Sequence, residues 1–590
     1  MKKTLTTLVA LFIITALFAF DVQIDNIYYN LNKTEFTATV THDGKYTDDN
    51  NSGYTQTEII IPSTISYNGA EYTVTSIGSS AFYKNTTIES ISIPNTVTTI
   101  GSTAFYYCNA LVSVSMPDRL ETMGTNAFYY CSSLKSVTIP EGLTTIKSYT
   151  FYNCISLGEI TIPSTVTTIE NSAFYYCSSL TSITIPENVT QIGNSVFAYC
   201  SSIPTFSIHA NLTSIGTTAF RYCASLQSIE VDENNPNYAS IDGVLYNKDI
   251  TTLIRCPEKK QSITIPSTVT TIDKSAFEQC KELTTISIPE NVTTINDYAF
   301  AVCSSIGSFT IPSSIQRIAP YAFYNCVGLK SVYLSDSVNY IGNSAFAYCY
   351  SLASITIPNN VRNIERSTFT NCSKLNSIKL GNAVDSIRGS AFKGCSSLRD
   401  FNIATRIPPV VDSTAFVDIA GIMQLSVPCG TITDYKNTKV WKNFNNYKEN
   451  VYSLTVVPND ESMGYVLIMQ KPSCEDPTVE LQANAFQNTD YKFKEWSDGT
   501  KENPYIFELT SDTTITAIFE YAPTPVENVN NSQVKVYTTD NTIYIEGLTN
   551  DYQILSTSGQ LIYTGKQTSI SLPKGIYILN IDNQTIKITL

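Results

Sequence analysis

The chain has 590 residues, with 51 Asp and Glu against 37 Lys and Arg, a net charge of −14 and a pI near 4.8. That balance repels nucleic acid and anionic lipid, whose binding needs clustered Lys and Arg. With 43% hydrophobic and 15% charged residues, the chain can bury a large core, as several domains or one elongated array, and is neither disordered nor a multi-span membrane protein.

Residues 1–20, MKKTLTTLVALFIITALFAF, place Lys2 and Lys3 before an apolar run slightly short for a membrane span. This predicts a signal peptide and a soluble, extracytoplasmic mature protein. An uncleaved N-terminal anchor is the alternative, because the small-residue site near Ala19 is poor.

From there a period takes over. Phe recurs every 23 residues at Phe82, Phe105, Phe128, Phe151, Phe174, Phe197 and Phe220, and again at Phe277, Phe300, Phe323, Phe346, Phe369 and Phe392. The gap between Phe220 and Phe277 holds two repeats and eleven further residues. They fall in an insertion near 232–260, predicted as a loop and a hairpin turning at Asn247 and Lys248. Each unit reads C-x-x-L-x-x-I-x-I-P-x-x-V-x-x-I-x-x-x-A-F-x-x. In the unit starting at Cys131, alternation turns Val137 and Ile139 inward and Ser136 and Thr138 outward. Pro140 ends the strand, because it offers no donor to a ladder. Leu143, Ile146 and Phe151 close the coil. One short strand per 20 to 29 residues is the signature of a leucine-rich-repeat solenoid. The fold class is mainly β: a solenoid of about 13 to 14 rungs, followed by two small β domains.

One cysteine recurs in every unit: Cys108, Cys131, Cys154, Cys177, Cys200 and Cys223, then Cys280, Cys303, Cys326, Cys349, Cys372 and Cys395. Strict register makes this a structural ladder of buried free thiols, each a small hydrophobe with a weak S–H donor. Disulfides between rungs are the alternative. Zinc is excluded, since neither C-x-x-C nor a histidine accompanies the series. Cys256 and Cys429 fall outside it.

Two exposed stripes are candidates for binding. The strand face carries hydroxyls at Ser113 and Ser115, Ser136 and Thr138, Ser182 and Thr184, and Ser354 and Thr356, which a solvated strand also favours. The second stripe is tyrosine, at Tyr83, Tyr106, Tyr129, Tyr152 and Tyr175 after the Phe, and at Tyr107, Tyr130, Tyr176, Tyr199 and Tyr222 one residue further on. Beyond the insertion it fades to Glu278, Ala301, Tyr324, Ala347 and Lys393. Tyrosine offers area, a polar tip and little entropy loss, which suits protein or sugar contacts; packing of ring on ring is the competing explanation.

Catalysis has little support. His42 and His209 lack partners at catalytic or metal spacing, and neither outlying cysteine lies near a histidine. Asp232, Glu233 and Asp242 could hold calcium, but they read as loop polarity, as does Asp48 to Asn51. No enzyme activity, metal or cofactor is expected.

The 23-residue unit resembles the BspA-like leucine-rich repeats of bacterial surface proteins. The segment DNIYYNLNKTEFTATV through EIIIPSTISYNGAEYTVTSIG resembles that family's N-terminal cap (21–76). LSVPCGTITDYKNTKVWKNFNNYKEN resembles its C-terminal cap (402–450), with Trp441 and Phe444 over the last rung of the solenoid (77–401). Residues 451–521 resemble the internalin-type β repeat, and 522–532 form a linker. Residues 533–590, with LPKGIYIL and Lys587, resemble the type A sorting domain of type IX secretion. The resemblance implies a monomer at the cell surface, exported by the type IX machinery, that adheres to an extracellular protein or glycan of host matrix, host cells or other bacteria. A scaffold of the envelope and a glycan-binding accessory protein are the alternatives.

Overall fold

The computed structural model describes residues 19–44, 53–419, 423–487, 489–509, 512–522, 534–557, 559–581 and 584–590. Most of the predicted signal peptide, the Asp48–Asn51 stretch, most of the 522–532 linker and Ser558 lie outside them. The chain divides into two compact units, Met1–Glu449 and Asn450–Leu590.

The first unit is a solenoid of about 16 turns, more than the Phe series counts. The additional turns come from stretches that keep the strand motif, Ile59-Ile60-Ile61-Pro62 and Leu425-Ser426-Val427-Pro428, but lack the cysteine of the regular unit. Glu58–Ile60 pairs in parallel with Ser90–Ser92, and Gln424–Pro428 extends the same ladder past Asp400–Ile403. A turn needs only an inward apolar residue and a free strand edge, so the consensus can lapse at both ends.

Within the array each turn has three sides. One is the three-residue strand, such as Ser136–Thr138, paired in parallel with Glu159–Thr161. The second is a two-residue strand, such as Thr145–Ile146, paired with Thr168–Ile169. The third is a run of tight turns carrying the Ala, Phe and Cys. Its residue before the cysteine is left-handed in every repeat, with φ of 59° at Tyr130, 59° at Asn153 and 74° at Gly394. The outward residues Ser136 and Thr138 are exposed, and Val137 and Ile139 are buried.

The phenylalanines form two stacked columns. Neighbouring rings from Phe82 to Phe220 lie 4.8–6.2 Å apart. From Phe277 the spacing is 4.8–5.8 Å, and Phe416 adds a ring 5.5 Å beyond Phe392. Tyr54 covers the first column at 4.7 Å from Phe82. Trp441 and Phe444 lie 5.6 and 5.3 Å from Phe416.

The insertion supplies two hairpins, Tyr238–Ile241 with Val244–Asn247 and Val244–Asn247 with Thr252–Arg255. The second turns at the predicted place. Thr252–Arg255 then rejoins the array by pairing in parallel with Thr271–Ile272. Val244–Asn247 has apolar residues buried on both faces: Leu245 belongs to the core on its N-terminal side, Val244 and Tyr246 to the core on its C-terminal side. The array is therefore continuous, although its core divides there.

In the second unit, one apolar cluster gathers Val479, Leu481, Trp496, Ile515 and Phe519 between two three-stranded sheets. Another gathers Ile543, Ile545, Tyr552, Ile554, Leu579 and Ile588 from strands between Lys535 and Thr589.

Candidate interaction surface

The cysteines explain themselves once the turns are stacked. Eleven of the twelve point their Sγ at the carbonyl oxygen of the Phe one turn back, at 3.0–3.2 Å, from Cys108 toward Phe82 to Cys395 toward Phe369. All twelve are buried and free. Burial pushes the Cys223, Cys326 and Cys395 thiols up to about 12, which disfavours the thiolate that nucleophilic attack and metal binding require.

Cys280 is the exception, with Sγ 3.7 Å from the Cys256 carbonyl oxygen. Cys256 occupies the place of a Phe in a shortened turn: its N–H donates to Ala276 O at 2.8 Å, as the Phe82 N–H does to Ala104 O. Five residues, Thr252 to Cys256, stand where a regular turn uses seven, Thr271 to Phe277, and with Cys256 at the Phe position no ring stands between Phe220 and Phe277. Across the gap Arg221 and Glu278 meet at 2.5 Å through both nitrogens and both oxygens. Beneath them Arg255 and Glu258 form a buried pair at 2.6 Å.

The tyrosines fall into two columns. Tyr83, Tyr106, Tyr129, Tyr152 and Tyr175 stack at 4.6–5.1 Å with planes within 2–9° of parallel. Tyr107 stacks on Tyr130 at 4.5 Å, and Tyr176, Tyr199 and Tyr222 follow at 4.8 and 4.3 Å, with Asn153 between the two groups. The rings are partly buried, Tyr176 being the most exposed. Their faces cover one another, so ring edges remain for a partner, while hydroxyls also bond along the surface: Tyr107 with Tyr130, Tyr175 with Tyr199, and Tyr222 donating to Glu278 Oε1 at 2.9 Å. Burial and then the neighbouring phenols push the Tyr175 hydroxyl up to about 12 and raise those of Tyr106, Tyr129 and Tyr152. The column is neutral at physiological pH, able to donate and accept.

The second column sits at the left-handed position, with φ of 58–63° at Tyr107, Tyr130, Tyr176, Tyr199 and Tyr222. Asn and Gly adopt that conformation at least cost, and they occupy it at Asn153, Asn371 and Gly394. Gln279 and Val302 hold it too, with φ of 68° and 62°, so the turn imposes the conformation and tyrosine is one of several residues that accept it.

Past the insertion the two tyrosine columns thin to Tyr324 and Tyr348. Rings also take a position that the Phe spacing does not single out: Tyr298 stacks on Tyr321 at 4.6 Å, and Tyr324 lies 5.3 Å from Tyr348, which lies 6.1 Å from Tyr350. The Arg221 guanidinium lies 4.9 Å from the Tyr222 ring and 5.7 Å from Tyr298, joining the two stretches. Tyr298 and Tyr321 stand two residues before their Phe, a column occupied earlier only by Tyr149.

Elsewhere the hydroxyl stripe is exposed, although 182–184 is not regular strand. His209 accepts the Asn211 N–H and lies 3.3 Å from Glu187; His42 accepts the Gly44 N–H. Asp232 caps its own loop through the Asn234 N–H. Among the described residues no group of three or more His, Cys, Asp or Glu is placed to hold a metal, and no helix is long and apolar enough to cross a membrane.

Comparison with known proteins agrees with this architecture. The family described as "BspA type Leucine rich repeat region" matches residues 54–180, 144–256, 255–374 and 316–446. Among solved structures, a leucine-rich cell surface protein from Faecalibacterium prausnitzii is 28% identical, over 65% of this chain and 94% of that one, with a TM-score of 0.45. The pneumococcal vaccine antigen PcpA is 22% identical over 73% and 98%, TM-score 0.46. A leucine-rich repeat protein from Bacteroides ovatus is 21% identical over 73% and 100%, TM-score 0.36. No curated protein matches significantly. Matched over most of its solenoid, with the repeat's strand, Phe stack and cysteine ladder in register, the chain belongs to the BspA-type leucine-rich-repeat family of bacterial proteins.

Proposed function

We propose that the chain is a secreted, surface-displayed adhesion protein whose solenoid binds an extracellular protein through its tyrosine columns. The observation that carries this reading is the second column: tyrosine held at left-handed positions, turn after turn, where Asn or Gly would serve the backbone. Family membership supports surface display. No catalytic role is assigned to any residue.

Because the ring faces are occupied by neighbours, the test must remove hydroxyls and keep the stack. The four-fold variant Tyr107→Phe, Tyr130→Phe, Tyr176→Phe and Tyr199→Phe, all in the second column, is expected to melt close to the parent. It should lose binding to immobilised matrix proteins or to whole bacterial cells, each good contact being worth about 1 to 2 kcal/mol and several acting together. Parental binding with all four hydroxyls gone would assign the columns to packing alone. Competition by soluble sugars would favour the glycan-binding alternative, and absence of binding to every surface the envelope-scaffold one.

For the second unit we propose a spacer over 451–521 and a sorting domain over 533–590, read by type IX machinery. Deleting 533–590 is expected to leave a folded solenoid retained inside the envelope. Surface levels equal to the parent's would refute the sorting role.

A further inference from the structure

The face formed by the two-residue strands changes character along the array. Its outward pair is Thr144-Thr145, Thr167-Thr168 and Thr293-Thr294 on earlier turns, with Ser, Glu or Gln the other residues used. From the next turn onward it becomes Gln316-Arg317, Asn339-Tyr340, Arg362-Asn363 and Asp385-Ser386, ending at Val410. These positions are stacked in register: Arg317 pairs with Tyr340, Asn363 with Ser386, and Ser386 with Val410. Every turn makes the same demand of this face, and threonine meets it on the earlier turns. The departure therefore needs another cause.

Stability does not provide one. Arg362 and Asp385 form a 3.0 Å ion pair with side chains 74% and 64% exposed, a class worth about 0 to 1 kcal/mol. Ile407 and Val410 are 83% and 72% exposed, so the fold gains almost nothing from their side chains. Arg317 lies flat over Tyr340 with its guanidinium carbon 4.0 Å from the ring centroid, an arrangement that holds both groups ready for a partner at little entropic cost. Arginine and tyrosine, with aliphatic residues beside them, are what protein interfaces enrich.

Charge selects the kind of partner. Nine arginines serve a chain of net charge −14, and six of the nine lie between Arg317 and Arg406. Two of the other three, Arg221 and Arg255, are held in the ion pairs at the insertion. An acidic partner is repelled by the chain as a whole and attracted where its guanidinium groups are concentrated.

We propose that this face of the last five turns, from Arg317 to Val410, docks an acidic protein segment. Its carboxylates pair with Arg317 and Arg362, and its apolar side chains lie against Tyr340, Ile407 and Val410. The surface is separate from the tyrosine columns.

The test uses the full chain and a soluble random copolymer of glutamate and tyrosine, with dextran sulfate as an anionic glycan and polylysine as the cationic control. The double variant Arg317→Thr with Arg362→Thr restores the residue of the earlier turns and should melt with the parent. Lys147→Thr, on an early turn, removes one charge elsewhere. The copolymer is expected to bind the parent and Lys147→Thr equally, more weakly as salt rises, and at least tenfold more weakly to the double variant. Failure of the copolymer to bind, or equal binding by the double variant, would overturn the proposal. So would dextran sulfate binding as tightly as the copolymer and being lost with the same two arginines, which would make the face a general anion site.

Discussion

Phe128→Ala is expected to cost about 3 to 5 kcal/mol, the range for emptying a buried aromatic site. Phe128 is fully buried, 4.8 Å from Phe105 and 5.5 Å from Phe151, so the cavity would lie inside a column whose neighbours are held by their own turns and cannot collapse into it. In a solenoid each turn touches only the next. The loss should therefore appear as early opening of the turns before the insertion, while those after Phe277 keep their protection. Denaturant titration with hydrogen exchange on the same sample would show it. Tyr129→Ala, one residue along and half-exposed, is the internal comparison. If it costs as much as Phe128→Ala, the stacked phenylalanines are not what holds the array together.

At pH 8, Arg255→Ala is expected to be of similar size, about 3 to 5 kcal/mol, because there Glu258 is ionised and loses its buried partner, and it should cost less at pH 5, where Glu258 is protonated. The remaining Glu258 is 5% exposed at its side chain. Burial, opposed by Arg255, the Cys223 backbone and Lys281 and reinforced by Glu278, already pushes its carboxyl up from 4.5 to about 7. A folded-state value above the unfolded one means that the folded chain holds the proton more tightly. Its contribution to stability is present below pH 4.5 and is lost as pH rises through about 7. The parent is thus expected to resist denaturant better at pH 5 than at pH 8, and Glu258→Gln to flatten that difference. Replacing the pair together, as Arg255→Met with Glu258→Leu, should cost less than Arg255→Ala alone. A parent whose stability rises from pH 5 to pH 8, with the same rise in Glu258→Gln, would show that Glu258 does not control the joint.

Repeat length, the inward set Val137, Ile139, Leu143 and Phe151, and the burial of the cysteines were all legible before any coordinates. Each is a local rule applied many times, and a period of 23 averages away the exceptions. Which residues could meet across a break was not legible. Arg221 and Glu278 are 57 positions apart, and only the shortened turn ending at Cys256 brings them to 2.5 Å. The stacked pair Tyr298 and Tyr321 escaped for the same reason, since it stands on a different position of the turn from Tyr106 and Tyr129, and only the structure shows the Arg221 guanidinium lying between Tyr222 and Tyr298. The outer turns built from Glu58–Ile60 and Gln424–Pro428 keep the strand motif, as Ile59-Ile60-Ile61-Pro62 and Leu425-Ser426-Val427-Pro428, but lack the cysteine, because an end turn answers to one neighbour where an inner turn answers to two. Pattern is set by the chemistry each residue shares with its own turn. Contact between turns depends on how many residues each turn consumes, and that was decided by packing in three dimensions.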